Sequence, residues 1–269
     1  MDPKTSPIAD FEQNFESYLN RRLSGSSPLH SAMKYSLLNG GKRIRPLFVF
    51  ESAGLVSLST SATEACAYAL EIVHGFSLVH DDLPAMDNDD FRRGKPTTHR
   101  KFGESQALLA GDALLNFANQ TFFECAHTIE PTFFQRAFQY FAQSIAGMIL
   151  GQSEELFLTD PNLEQLLRIQ SLKTGELFKA SILCPLLLAG LSKNDHLFIE
   201  CEKFASGFGF AFQIADDLED SEQDRIQGVK NILSLMGQES AIELAKQKLL
   251  DTSVARQFSA TELLLSKLK

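Results

Sequence analysis

The stretch ACAYALEIVHGFSLVHDDLPAMD, residues 65–87, determines the fold class of this chain. Its apolar residues recur every three or four positions, the spacing that places side chains on one face of an α-helix. The helix should end near Asp81, because Pro84 lacks the backbone N–H that a continuing helix needs. A bend at Pro84 would bring Asp87 back beside Asp81. The stretch therefore predicts a long helix that delivers two carboxylates to one point.

The remainder of the chain shows the same helical periodicity, for example at Phe11, Phe15 and Tyr18. Runs that alternate between polar and apolar residues are scarce, and no Asn-Gly or Asp-Gly turn joins two such runs. Loop-forming residues separate the helical stretches, as at residues 160–162. No repeat, low-complexity tract or linker divides the sequence. We therefore predict a single all-α domain spanning residues 1–269, with about ten helices.

The composition restricts the partners of the protein. The chain has 269 residues, of which 34 are acidic and 25 basic, for a net charge of −9. This charge disfavours binding to nucleic acid or to an anionic membrane surface. The apolar stretch of residues 182–191 is too short to span a bilayer, and residues 1–4 lack the pattern of a signal peptide. The four cysteines show no Cys-x-x-Cys spacing, which argues against a zinc site or a disulfide framework. We expect a cytoplasmic protein that binds no nucleic acid and does not insert into membranes.

A second acidic cluster lies in the stretch FGFAFQIADDLED, residues 208–220. On a helix Asp216 and Asp220 share one face, and Gln213 lies one turn earlier on the same side. Like charges at this spacing destabilise a bare helix unless a cation compensates them. Oxygen ligands without His or Cys suit Mg²⁺, which is commonly held by carboxylates and substrate phosphates. A single acidic run is typical of a solvated helix end, but two such runs favour a magnesium site.

Two basic stretches could bind an anionic substrate. The stretch GGKRIRP, residues 40–46, places three cationic side chains after two glycines, which let backbone N–H groups approach an anion. The stretch RRGK, residues 92–95, directly follows the first aspartate cluster, and arginine suits bidentate contact with phosphate oxygens. His74 lies two helical turns before Asp81 and so shares its face. These patterns predict a site for phosphorylated substrates.

Taken together, these motifs resemble the all-trans polyprenyl diphosphate synthases, in particular the bacterial farnesyl diphosphate synthase (geranyltranstransferase) group. The resemblance runs from about Ser31 to Lys230, most of the chain. Its motifs, in order, are GGKRIRP (40–46), DDLPAMD (81–87), RRGKPT (92–97), GDAL (111–114), GQ (151–152), KTG (173–175) and FQIADDLED (212–220). Each motif alone is moderately specific, but this order of motifs is very specific.

The resemblance implies an antiparallel helical bundle around a central cavity, a homodimer, and three Mg²⁺ ions in each active site. The implied metal ligands are Asp81, Asp82, Asp87, Asp216 and Asp220. The residues implied to bind substrate are Gly41, Lys42, Arg45, His74, Arg92, Arg93, Lys173, Thr174, Gln213 and Lys230. Of these, Arg92, Lys173 and Lys230 resemble the site of the allylic diphosphate, whereas Lys42, Arg45, His74 and Arg93 resemble that of isopentenyl diphosphate.

The resemblance also implies an activity. The chain is expected to be a prenyltransferase that condenses isopentenyl diphosphate with dimethylallyl or geranyl diphosphate and forms farnesyl diphosphate. Magnesium-assisted ionisation comes first, and condensation and loss of a proton follow. Fixed positive charge stabilises the leaving diphosphate, while Thr174 and Gln213 offer dipoles to the carbocation. The residues expected to carry catalysis are Asp81, Asp87, Arg92, Lys173, Thr174, Gln213 and Asp216.

Product length is expected to depend on the residues just before the first aspartate cluster. Phe76 and Ser77 lie five and four positions before Asp81, so the growing tail should pass them. In the family, an aromatic residue at the first of these positions is associated with a C15 product, which favours farnesyl diphosphate. A geranyl or geranylgeranyl diphosphate synthase is the alternative enzyme, and a terpene cyclase is less favoured because it needs no site for a second diphosphate. The non-enzyme alternatives are a regulatory subunit of a heteromeric synthase and a divalent-cation buffer.

Overall fold

The computed structural model describes residues 7–227 and 230–268, with side chains described in residues 10–221 and 230–268. Residues 1–4, on which the signal-peptide argument rests, lie outside this range. The described residues form thirteen α-helices, which are α1 (Pro7–Arg22), α2 (Pro28–Leu37), α3 (Ile44–Val56), α4 (Thr60–Asp81), α5 (Thr98–Phe102), α6 (Glu104–Phe123), α7 (Pro131–Leu156), α8 (Leu163–Gln170), α9 (Glu176–Leu188), α10 (His196–Gln227), α11 (Ile232–Met236), α12 (Gln238–Leu250) and α13 (Ala260–Lys267). The other elements are the strands β1 (Phe91–Arg92) and β2 (Lys95–Pro96), the 3-10 turns Glu124–His127 and Ala255–Gln257, and a π-helical turn, Ser171–Gly175.

The predicted all-α fold class is confirmed, since the two short strands form only one antiparallel hairpin. The helices of the described residues outnumber the ten or so predicted, and two glycines account for part of the difference. Gly103 (φ +88°) ends α5 and begins α6, and Gly237 (φ +86°) ends α11 and begins α12. A residue in this conformation cannot continue an α-helix. None of the helices within the described residues is long and apolar enough to cross a bilayer.

The chain forms two compact units. Unit 1 comprises the residues up to Phe50 together with Leu58–Glu130. Unit 2 comprises Glu51–Ser57 together with the residues from Pro131 onwards. The single domain over residues 1–269 stays a prediction.

Unit 1 is built around α4, which is buried over most of its length and packs against α6. The rings of Phe15 and Tyr18 on α1 lie against Tyr68 of α4, with centroids 5.2 Å and 4.8 Å apart. The Tyr18 hydroxyl shares a hydrogen bond of 2.9 Å with Thr121 and donates one of 2.8 Å to Glu124. Burial raises the pKa of Tyr18 to about 12, so this group stays neutral. These contacts hold the helix that leads into the first aspartate cluster.

Unit 2 is organised around α9, in which nearly every residue is buried between α7 and α10. The π-helical turn joins α8 to α9, and glycines on two neighbouring helices let it pack closely. A Cβ atom on Gly151 of α7 would lie 2.5 Å from the backbone nitrogen of Lys173. A Cβ atom on Gly209 of α10 would lie 3.2 Å from the Cα atom of Gly175. The turn that carries Lys173 is therefore in backbone contact with both helices.

A third close approach joins α10 to α12. A Cβ atom on Gly207 would collide with the backbone carbonyl of Lys248, which cannot move aside as a flexible side chain could. The two helices can therefore pack at this distance only with glycine at position 207.

Gly207→Ala should lower the free energy of unfolding by about 1–3 kcal/mol, because α10 and α12 have to move apart. The matched control is Gly54→Ala, at an exposed position of α3 where a Cβ atom meets nothing within 4 Å. Alanine should stabilise the protein there by up to about 1 kcal/mol through its higher helix propensity. Chemical denaturation of both variants measures the difference, and equal changes in stability would contradict the close packing of α10 on α12.

Candidate active site

The first aspartate cluster lies where α4 ends, and the chain then folds back on itself. The backbone N–H of Asp87 donates to the carbonyl of Asp81 at 2.9 Å. The carbonyl of Leu83 accepts from the N–H groups of Met86 (2.8 Å) and Asn88 (3.1 Å), which closes the turn around Pro84. The predicted return of Asp87 to Asp81 is therefore confirmed for the backbone. The turn brings together residues that a straight helix would point in different directions.

Asp82 is held by an arginine of the next turn. Its side chain is buried and accepts a hydrogen bond of 2.6 Å from Nε of Arg92. Nη2 of the same arginine donates to Asp89 at 3.4 Å. Burial raises the pKa of the Asp82 carboxyl, and the bond from Arg92 partly offsets that rise. Asp82, predicted as a metal ligand, is thus in contact with a protein cation, and it orients Arg92 beside the aspartate turn.

Arg93, the next residue, points to a different loop. Its guanidinium donates to the carbonyl of Gly40, while Asn39 donates to the carbonyl of Arg92 at 3.3 Å. A Cβ atom on Gly41 would lie only 2.6 Å from the Arg93 guanidinium, and Gly41 has φ +135°, so only glycine fits there. The structure thus brings the predicted substrate residues Gly41 and Arg93 into contact.

His74 lies among the arginines of this part of unit 1. Its pKa is lowered well below the usual value, first by desolvation and then by the positive charges of Arg45, Arg93, Arg43 and Arg92. The imidazole is therefore neutral near pH 7 and can donate one hydrogen bond without adding charge. The predicted isopentenyl diphosphate residues Arg45, His74 and Arg93 are thus close enough to interact electrostatically.

Arg43 has a structural role that the sequence did not reveal. It adopts φ +48°, and its buried guanidinium donates to the Glu71 carboxylate of α4 and, at 2.9 Å, to the carbonyl of Leu37. The arginine therefore fixes the glycine-rich loop to α4. A signal was present in the sequence, since Glu71 is an acid within an otherwise apolar run and needs a buried cation.

Glu71→Ala should destabilise the protein by about 3–5 kcal/mol, because it removes the buried carboxylate partner of Arg43. Of the carboxylate contacts of Arg43 within the described residues, only the longer one of 3.6 Å to the exposed Glu12 then remains. The double variant Arg43→Met, Glu71→Met should lose less stability than Glu71→Ala, since it removes both charges. Urea denaturation of the unmodified protein and of the two variants measures these losses of stability. A loss below about 1 kcal/mol for Glu71→Ala, typical of an exposed pair, would show that the pair does not fix the loop.

The second aspartate cluster lies in α10 and belongs to a hydrogen-bonded chain within unit 2. Nε2 of Gln213 donates to Asp217 at 2.8 Å, and Oε1 of Gln213 accepts from the Thr174 hydroxyl at 3.5 Å. The other carboxylate oxygen of Asp217 accepts from the backbone N–H of Ile232 at 3.2 Å. The structure thus brings Thr174 and Gln213 together, as their shared predicted role requires. Asp217, to which the sequence pattern assigned no role, is buried and sets the orientation of the Gln213 amide.

The two predicted phosphate-binding lysines of unit 2 both pair with carboxylates. Lys173 lies on the π-helical turn and donates to Glu155 of α7, and Lys230 donates to Asp160. Turns of π-helix often occur at functional sites. Both ion pairs are partly exposed, so each contributes little to stability and can be exchanged for another anion at small cost.

The donor chemistry of both clusters fits magnesium. Asp81 and Asp87 in unit 1, and Asp216 and Asp220 in unit 2, offer hard carboxylate oxygens. Within the described residues, no group of three or more His, Cys, Asp or Glu side chains could hold a metal ion alone. Mg²⁺ is commonly bound by one or two carboxylates together with water and substrate phosphates. The residues therefore suit an ion that is shared with a phosphorylated substrate.

Comparison with known families identifies the class of protein. The family model for Polyprenyl synthetase matches residues 26–234, and the chain belongs to this family. It is 42% identical over 218 residues to heterodimeric geranylgeranyl pyrophosphate synthase large subunit 1 of Arabidopsis thaliana, covering 75% of this chain and 58% of that protein. It is 40% identical over 222 residues to farnesyl diphosphate synthase of Geobacillus stearothermophilus, covering 78% of this chain and 73% of that protein. The family prediction is thereby confirmed.

Solved structures share the fold over nearly the whole chain. An FPP/GFPP synthase of Zymomonas mobilis has a TM-score of 0.85 at 32% identity and covers 96% of each chain. A geranyltransferase of Helicobacter pylori, complexed with magnesium and isoprenyl diphosphate, has a TM-score of 0.75 at 29% identity and covers 100% of this chain and 96% of that one. The predicted isoprenoid synthase fold is therefore confirmed.

Proposed function

We propose that this chain is a magnesium-dependent prenyltransferase that condenses isopentenyl diphosphate with dimethylallyl or geranyl diphosphate and releases farnesyl diphosphate. The main support for the proposal is that two adjacent arginines contact different parts of unit 1. Arg92 is oriented by Asp82 beside the aspartate turn, while Arg93 is oriented by Gly40 in the glycine-rich loop. Two diphosphate groups explain this arrangement, because an enzyme that binds one diphosphate needs only one such anchor.

The cations that the resemblance assigns to the allylic diphosphate are each already held in place within their own unit. Arg92 is fixed by Asp82, and Lys173 and Lys230 are held by exposed carboxylates that a diphosphate can replace. Magnesium, with three ions proposed in each site, supplies further positive charge to the leaving diphosphate when it is bound by the aspartate carboxylates. The relative complexed with magnesium and isoprenyl diphosphate supports this assignment.

The carbocation is proposed to be stabilised by oxygen dipoles that cannot attack it readily. Asp217 binds the amide nitrogen of Gln213, so the amide oxygen is turned toward Thr174. The oxygens of Gln213 and Thr174 are thereby fixed before reaction, and fixed dipoles need no reorganisation when charge develops. The double bond of isopentenyl diphosphate then attacks, and the proton is lost to the departing diphosphate.

A cytoplasmic homodimer is part of the proposal. Large apolar side chains are exposed on α6 of unit 1 (Leu108, Leu109) and on α7 of unit 2 (Ile149, Leu150). Apolar side chains exposed in clusters are typical of surfaces that pack against another subunit. The net charge of −9 suits a protein that remains in solution.

The function is tested by Asp81→Ala and Asp216→Ala, each assayed for incorporation of isopentenyl diphosphate into longer products. Both should lose at least about 100-fold in turnover, because the charge that stabilises the leaving group is lost. Asp10→Ala, at an exposed position of α1, is the matched control and should retain activity. Near-normal turnover for either cluster variant, with an unchanged circular dichroism spectrum, would contradict the proposed mechanism.

Product length is tested at Phe76 and Ser77. Phe76 is buried, with its ring 5.1 Å from that of His80, whereas Ser77 is half-buried and donates to the carbonyl of His74 at 3.0 Å. Phe76 lies ~7.5 Å along the helix axis from Asp81. Phe76→Ala should therefore open space for a longer tail and give C20 or longer products. Ser77→Phe should fill space and give C10 products.

Chromatography of the dephosphorylated products decides between these outcomes. Phe117→Ala removes an equally buried ring from α6 and controls for general destabilisation, so it should still give the C15 product. The geranylgeranyl synthase relative makes C20 the alternative product of the unmodified protein. If Phe76→Ala still gives only the C15 product, a residue other than Phe76 limits the length of the prenyl chain.

A further inference from the structure

We propose that unit 2 carries a second ligand site, for an amphiphilic anion such as a phosphate ester with an apolar chain. A cavity of about 640 Å³ lies between α8, the π-helical turn, α9, α10 and α12. This volume is within the range of about 300–1,000 Å³ that small-molecule sites occupy. None of the residues assigned above to the diphosphate substrates or to magnesium lines this cavity. It is therefore a separate site.

The charged residues around the cavity include two exposed lysines, Lys203 and Lys248, that could bind an anionic head group. Lys179, Lys203 and Lys248 line the cavity, against the acids Glu202 and Asp251. Lys179 is bonded to Glu176 at 2.9 Å, while Lys203 and Lys248 are exposed and bind phosphate as mobile point charges.

The apolar part of the ligand has a matching wall. Leu167, Ile199, Phe210 and Leu244 line the same cavity, and Ile199 is 43% exposed although it is a large apolar residue. The ammonium group of Lys248 lies 5.8 Å from the centre of the Phe210 ring. A positive charge thus stands beside the apolar wall, as a ligand with a charged head and an apolar chain requires.

Two polar groups of the cavity residues have no hydrogen-bond partner among the described residues. Oε1 of Gln170 and Oγ1 of Thr252 are buried and accept or donate no hydrogen bond. Both residues line the cavity, one at the end of α8 and the other just after α12. Buried polar atoms without partners are rare in proteins, and a bound ligand would supply the missing partner. After a side-chain rotation toward the cavity, the Thr252 hydroxyl and the NH2 group of the Gln170 amide would donate to phosphate oxygens, while Oε1 of Gln170 would accept only from a protonated phosphate oxygen.

The site is connected to the π-helical turn. Ser171 and Gly175 line the cavity, and Lys173 and Thr174 lie between them in the sequence. Gly175 is already in close contact with Gly209 of α10, so the π-helical turn cannot move closer to α10. A ligand in the cavity therefore contacts the same turn that carries two residues of the proposed active site.

Isothermal titration with decyl phosphate, below its micellar concentration, tests the site. The unmodified chain should bind it, and the double variant Lys203→Glu, Lys248→Glu should bind at least tenfold more weakly. Lys246→Glu, on α12 but outside the cavity, is the matched control and should bind as the unmodified chain does. Ser206→Phe fills the cavity without changing the charge and should also abolish binding. Thermal unfolding of each variant confirms that it is folded.

Two further titrations distinguish the cavity from the catalytic site and test its apolar wall. Arg92→Ala removes a cation of the proposed catalytic site and should leave this binding in place. If Arg92→Ala abolishes binding while the cavity variants retain it, decyl phosphate binds the catalytic site and the proposal is wrong. Inorganic phosphate should bind more weakly than decyl phosphate, and equal affinity would overturn the role of the apolar wall. Binding is measured without turnover, so failure of the proposed synthase activity would not alter the result.

Discussion

The buried ion pair between Arg43 and Glu71 is the interaction on which the predicted substrate residues of unit 1 depend. A buried charge is costly unless it is paired and hydrogen-bonded, and Arg43 meets both conditions through Glu71 and the carbonyl of Leu37. Arg43 adopts a left-handed backbone conformation, a strain that the buried contacts offset. Gly40 and Gly41 lie three and two positions before Arg43, so the loop that receives the Arg93 guanidinium is positioned by this pair.

The other ion pairs of the candidate site differ from this one in burial. Lys173 with Glu155 and Lys230 with Asp160 are partly exposed, and pairs of this kind contribute little to stability. The buried pair of Arg43 and Glu71 therefore fixes the backbone of the glycine-rich loop. The exposed pairs hold flexible lysines near the places where an anion is proposed to bind. A diphosphate can replace the carboxylate partners of the two lysines without disturbing the fold, because a weak ion pair is exchanged for a stronger charge-assisted hydrogen bond.

The sequence predicted the features that follow from local rules. The period of α4, its end before Pro84 and the return of Asp87 depend only on residues close in the chain. The role of Arg43 could not be read in this way, because Glu71 lies 28 positions away. Asp217 lies only four positions from Gln213, but its second carboxylate oxygen is fixed by Ile232, 15 positions away. From charge alone, the sequence does not distinguish Arg43 from Lys42 or Arg45. It likewise does not distinguish Asp217 from Asp216. Only the packing of helices distinguishes a cation that faces the core from one available to substrate.

The π-helical turn connects the two ligand sites proposed for unit 2. Two glycines, Gly151 on α7 and Gly209 on α10, let the backbones of these helices approach the turn more closely than side chains would allow. Close-packed backbone cannot deform smoothly, so displacement at one face of the turn is transmitted to the groups on its other residues. Lys173 and Thr174 belong to this turn, and Ser171 and Gly175 line the cavity. A ligand in the proposed cavity site would therefore contact the turn that carries the cation and the hydroxyl proposed for the allylic substrate, and it would not contact the carboxylates proposed to bind magnesium.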